Sequence, residues 1–210
     1  MKKINLILLL LIFSAEMFGQ KNIYVSKRFD ELSKDHKELA IIPFLTTLQL
    51  DEKLSEEKLE EMENKESYTV QNALESYFLK RKKRKKFTVE FQNIEDTNTI
   101  LKRNNITLQN LDTYTTQELC KILDVDGLIS GNLLLSTIIS EDIDDSFDIV
   151  SIFRGKSNFG RISIKVSDGS TGKLLWKYAK TINRKSGRNT FAIVEAMMRK
   201  ASRKFPYDKD

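Results

Sequence analysis

The stretch ISIKVSDGSTGKLLWKYAKTI, residues 162–182, constrains the fold more than any other part of the chain. Ile162, Ile164 and Val166 alternate with Ser163, Lys165 and Ser167, so the segment reads as a strand with one apolar face and one polar face. DGSTG supplies a glycine-rich turn, and Leu174, Trp176, Tyr178 and Ile182 continue with a period of two. The pattern predicts an antiparallel hairpin.

Other elements fall into place around it. KELAIIPFL, residues 37–45, predicts a short buried strand that ends near Pro43, because proline removes a ladder donor. LDEKLSEEKLEEMENKES, residues 50–67, is acidic and poor in apolar residues, and predicts a mobile loop with a frayed helix over 52–64. From Ser67, a candidate cap, the residues Val70, Ala73, Leu74, Tyr77 and Phe78 recur at helical spacing, so a helix should run to Arg81 or Lys83. KFTVEFQ then reads as a strand with Phe87, Val89 and Phe91 on one face. A short helix and loop over NTILKRNNITLQNLD lead to a second helix, TTQELCKILDV, for which Thr115 or Thr116 is a candidate cap. DGLISGNLLLSTIIS is a long apolar strand, and NTFAIVEAMMRKASRKF is a last helix ended by FPY at 205–207.

This order of strands and helices predicts a single α/β domain, with α+β as the alternative. A central mixed sheet of about five strands is packed by helices, one of them C-terminal. The boundaries are a signal peptide at 1–19, an N-terminal extension at 20–36, the α/β domain at 37–207 and a tail at 208–210.

The location follows from the first residues, MKKINLILLLLIFSAEMFGQ. Lys2 and Lys3 precede an aliphatic run of roughly 10 residues, then Ser14, Ala15 and Gly19, the layout of a cleavable export signal. A spanning helix needs about 20 apolar residues, and no later stretch supplies them, so no transmembrane helix is expected after cleavage. A lipoprotein would carry a cysteine directly after the apolar run. The only cysteine is Cys120, which lies on the apolar side of a predicted helix and reads as a small buried hydrophobe. The expected location is the periplasm, without a lipid anchor.

From Lys80 to Lys86 every residue is basic: Lys80, Arg81, Lys82, Lys83, Arg84, Lys85 and Lys86. The run falls at a helix C-terminus, where cations complement the helix dipole. Seven charges exceed that need, and the excess calls for solvent or an anionic neighbour. Export argues against a nuclear or nucleic-acid role, and no aromatic-rich binding face adjoins the run. The charge is local: cleavage after Gly19 removes Lys2, Lys3 and Glu16 and leaves 33 basic against 29 acidic residues, a net of +4.

Three stretches carry a family resemblance. LAIIPF, with Pro43 and Phe44, resembles the opening strand of the periplasmic α/β domain shared by three groups. These are the curli secretion channel lipoprotein (CsgG-like), the lipoprotein activators of penicillin-binding proteins (LpoB-like) and the amino-terminal domain of the Tol–Pal propeller protein (TolB). LCKILDVDGLISGNL is similar to that domain's step into a middle strand, through Asp126 and Gly131. The hairpin resembles its Leu-x-Asp-x-x-Thr-Gly-x-x-x-Trp motif, through Asp168, Thr171, Gly172 and Trp176. The likeness covers 37 to about 205. It implies a domain that works by binding proteins and carries no catalytic residues over; no cofactor or metal is expected. The acidic segment 140–158 does not supply the channel's membrane-crossing hairpins.

Residues able to do chemistry are few. His36 is the only histidine, precedes the first strand and reads as a surface residue; alone it builds no zinc site. The acidic cluster at 141–148, with Asp142, Asp144 and Asp145, offers paired carboxylates or a weak Ca²⁺ site, but reads first as a solvated loop. GSTGK lacks the spacing of a phosphate loop. Trp176 reads as packing. The expected function is an exported adaptor or accessory factor in envelope biogenesis or secretion. It would bind an envelope protein and use Lys80–Lys86 as a handle for anionic lipid, lipopolysaccharide or an acidic protein, and it is compatible with self-association. The alternatives are a nucleic-acid binder using the same basic run and a hydrolase using the 141–148 loop.

Overall fold

Alternating apolar residues at 162, 164 and 166 and at 176 and 178 become the two long strands of a hairpin, and the sheet grows outward from them. The computed structural model describes residues 23–50, 54–83, 87–137, 159–182, 190–201 and 205–208. Strands are β1 (Ile23–Val25), β2 (Glu38–Ile41), β3 (Leu45–Leu50), β4 (Glu90–Phe91), β5 (Gly127–Thr137), β6 (Phe159–Asp168) and β7 (Leu174–Ile182). Helices are α1 (Phe29–Ser33), α2 (Glu56–Lys82), α3 (Ile94–Arg103), α4 (Thr116–Leu123) and α5 (Thr190–Ala201).

All seven strands join one sheet in the order β1-β7-β6-β5-β2-β4, with β3 also pairing β5. β5 is parallel to β2 and β3 and antiparallel to β6. This is a mixed α/β sheet with a C-terminal helix. The pattern predicts about five strands. The additional two are β1, inside the segment read as an N-terminal extension, and β3, which lies beyond Pro43.

β2 ends at Ile41, just before Pro43, as expected, and the chain then resumes pairing along β5 as β3. Ile41 pairs with Ile129 and Leu45 with Asn132, so β2 and β3 run along β5 with one extra residue between them. The extra residue lets Phe44 turn into the core over Gly131. A Cβ at Gly131 would lie 1.9 Å from the Ser163 carbonyl oxygen and 2.4 Å from Phe44 Cε1. Two stretches of the family resemblance therefore meet at one contact, ring against glycine.

The acidic segment before Ser67 also differs from expectation. α2 is continuous over 27 residues, and its cap is Ser55, whose hydroxyl accepts from Lys58 N at 3.3 Å. Ser67 is buried in mid-helix, where its hydroxyl donates to the Glu63 carbonyl at 2.8 Å. Glu63 reaches the free edge of β3 and accepts from Leu48 N at 2.8 Å, so the helix covers donors that would otherwise invite another strand. α4 follows its sequence closely. Thr115 caps it in a capping box with Glu118.

The two sheet faces carry unequal cores. On one face Ile129, Leu133, Ile162, Ile164, Val166 and Trp176 pack with Val70, Leu74 and Phe78 of α2 and with Val194 and Met198 of α5. On the other a smaller cluster joins Ala40, Ile42 and Leu128 to Leu101, Leu119, Cys120 and Leu123. Trp176 is fully buried and meets the Phe205 ring edge-on at 5.3 Å, a packing role. No described helix is long and apolar enough to cross a membrane.

Candidate functional site

The hairpin turn and the starts of β2 and β5 meet at one end of the sheet. Asp168 closes the turn. Its Oδ2 accepts from Thr171 N at 2.7 Å, from Ser170 Oγ at 2.9 Å and from Thr171 Oγ1. Gly172 takes φ +69°, and its N–H donates to the Asp168 carbonyl at 2.9 Å. Asp126 does the equivalent work between strands. Its Oδ2 accepts from Lys37 N at 2.7 Å and Glu38 N at 3.0 Å, and its carbonyl accepts from Gly169 N at 2.8 Å. The motif residues Asp126, Asp168, Thr171 and Gly172 thus form one hydrogen-bonded junction.

His36 belongs to this junction, which corrects its reading as a surface residue. Its side chain is only 6% exposed. Nε2 lies 2.9 Å from Asp168 Oδ1 and Nδ1 lies 2.6 Å from the Tyr207 hydroxyl. Every atom is satisfied if Nε2–H donates to Asp168 and Tyr207 O–H donates to Nδ1. The partners lie 132 and 171 residues away, so no local pattern announces the contact.

Electrostatics at the junction favours fixed states over reactivity. Burial works to raise the Asp168 carboxyl, but hydrogen bonds from Thr171, His36 and Ser170 outweigh it and hold it below the usual carboxylate value. Burial, then the charges of Asp168 and Asp126, push the Tyr207 phenol up. The same causes push the Cys120 thiol up to about 12, so it is a buried hydrophobe and not a thiolate. Among the described residues no group of three or more His, Cys, Asp or Glu is arranged to hold a metal ion.

The start of the basic run lies at the end of α2, against β4 and the C-terminal segment. Lys80 Nζ is 3.4 Å from Glu195 Oε1, Lys82 pairs with Glu90, and Arg81 pairs with Asp208. The Arg81 guanidinium also lies 5.7 Å from the centre of the Phe87 ring. Lys83 is exposed and has no acidic partner among the described residues. Three of the seven cations therefore have internal counter-charges that the sequence did not disclose. Arg84, Lys85 and Lys86 lie outside the described residues, as do the signal segment 1–19 and the acidic cluster at 141–148.

No protein-family model matches the chain, and no curated protein matches it. Several solved structures are similar to it. Lipoprotein GNA1162 of Neisseria meningitidis is 12% identical, with a TM-score of 0.38 over 70% of this chain and 79% of that one. The C-terminal domain of LpoB from Salmonella enterica is 8% identical, with a TM-score of 0.37 over 74% of this chain and 92% of that one. PelC from Paraburkholderia phytofirmans, solved as a dodecamer, is 9% identical, with a TM-score of 0.37 over 78% of this chain and 86% of that one. LpoB stands in one of the groups that the sequence motifs resemble. These likenesses are of low identity and low TM-score, and the functional reading rests on the residues themselves.

Proposed function

We propose that the chain is an exported, non-enzymatic envelope protein that binds a partner protein as an adaptor or accessory factor. One observation carries the reading: among the described residues, the histidine, the acids of the hairpin junction and the cysteine are engaged in holding the fold. His36 bonds directly to Asp168 and to Tyr207, Asp126 and Asp168 also hold backbone N–H groups, and Cys120 is buried with its thiol pushed up to about 12. With side chains only 6% and 2% exposed, His36 and Asp168 are nearly closed to a substrate and serve the fold. The three family-like stretches and the signal-like segment at 1–19 support an envelope location and this class of work. Lys83, followed in sequence by Arg84, Lys85 and Lys86, is the part of the basic run that supports contact with an acidic partner or an anionic surface.

The test combines processing with proximity. The native product should begin at Gln20 and fractionate with the periplasm. A photo-crosslinker at Leu79, which is 47% exposed beside Lys80 and Lys83, should trap one envelope protein reproducibly. The Gln variants of Lys80, Lys82 and Lys83 should weaken that adduct. A cytosolic pool that keeps Met1, with no adduct from the envelope, would overturn the reading.

A further inference from the structure

Among the described residues, α3 and α4 cover the second sheet face at its β2 end. Farther along, the strands place a grid of side chains side by side. One row reads Ser130, Lys165, Lys177 and Tyr24 across β5, β6, β7 and β1. The next reads Leu45, Asn132, Ser163 and Ala179 across β3, β5, β6 and β7, and the third reads Thr47, Leu134, Arg161 and Thr181. No position in these rows is Asp or Glu.

Three cations therefore share rows that hold no acid, and none has an ion-pair partner among the described residues. Lys165 and Lys177 stand directly opposite each other on neighbouring strands. Like charges in that position destabilise a sheet unless an external anion relieves them. Arg161 is exposed, and Tyr24, at the sheet edge, is 49% exposed.

We infer that this face is a docking surface for the anionic headgroups of a lipid bilayer. The chemistry of the face selects that occupant. Its centre is small and polar, with Ser130, Asn132, Ser163 and Ala179, so it lacks the deep apolar pocket that anchors a protein partner. Tyr24 is the only aromatic side chain in the grid, so successive nucleic-acid bases find no stacking platform. A flat layer of phosphates needs neither feature. It needs unpaired cations at one level, with an amphipathic ring at the rim. This surface is distinct from the end of α2, where the first three cations meet internal acids.

The test is co-sedimentation of the chain, as its native host processes it, with two kinds of vesicle. One is pure phosphatidylcholine and the other is phosphatidylcholine mixed with phosphatidylglycerol. Binding should require the anionic lipid and weaken with salt. Changing Arg161, Lys165 and Lys177 together to Gln should lower partitioning about a hundredfold, while Lys165→Arg with Lys177→Arg should keep it. Gln at Lys80, Lys82 and Lys83 should lower it far less. Equal binding to both vesicles, full binding by the sheet-face Gln variant, or loss only in the α2 variant would each overturn the assignment. So would binding of the chain to a soluble acidic protein or to single-stranded nucleic acid without binding to anionic vesicles.

Discussion

His36 Nε2 lies 2.9 Å from Asp168 Oδ1, and both side chains are almost wholly removed from water. The pair joins the segment before β2 to the turn after β6. Asp168 is the more consequential partner, because it also closes the turn through Thr171 and Ser170. Asp168→Asn should cost about 1.5–3 kcal/mol at neutral pH, the range for hydrogen bonds to a charged group. Thermal unfolding should shift down by several degrees.

The pH dependence of that loss has a definite sign. Asp168 is held below the ordinary carboxylate value in the folded chain, so its contribution is present above about pH 4. It is lost as pH falls through the folded value. The gap in stability between parent and Asp168→Asn should be widest near neutrality and close in acid. Denaturant titrations at neutral and acid pH check this, and a constant gap would refute it.

Gly131 and Phe44 test the interrupted first strand. Gly131→Ala would force a methyl group against the Ser163 carbonyl and the Phe44 ring, and should abolish folding or cost more than about 3 kcal/mol. Trimming Phe44 to Leu in the same chain should not rescue it, because the closer contact is with backbone.

Arg81 should separate from its neighbours. It packs on Phe87 and pairs with Asp208 in a half-buried setting, so Arg81→Gln should cost about 1–2 kcal/mol. Lys80→Gln and Lys83→Gln should change stability by less than about 0.5 kcal/mol. Chemical denaturation of the three variants gives the comparison.

Cys120 offers a reporter of global unfolding. Its thiol is buried and pushed up to about 12, so an aromatic disulfide reagent at mildly alkaline pH should not label the native chain. Labelling should rise in step with denaturant-induced unfolding. Fast labelling without denaturant would contradict the burial described above.

Local patterns carried the hairpin, α4 and the buried face of the second half of α2, with Val70, Ala73, Leu74, Tyr77 and Phe78, because each is written in residues a few positions apart. Thr115 with Glu118, and Asp168 with Thr171 and Gly172, are readable at short range for the same reason. The first half of α2 was readable only in part, as a frayed helix over 52–64 within a loop, where the structure has one continuous helix from Glu56. Of its residues between Glu56 and Lys65 only Met62 is buried, so the segment has too few apolar positions to show a period. It is helical because Ser55 caps it and Glu63 is drawn to the β3 edge. His36, Tyr207 and the acidic partners of Lys80, Arg81 and Lys82 were hidden by distance along the chain. The cationic grid was half visible. Lys165 was seen to alternate outward, but its meeting with Lys177 depends on strand register.

The contact between His36 and Tyr207 spans 171 residues. A polypeptide that emerges amino end first from a ribosome presents His36 well before Tyr207. The clasp therefore stays open until those intervening residues have been made, and a copy cut short before Phe205 lacks the latch altogether.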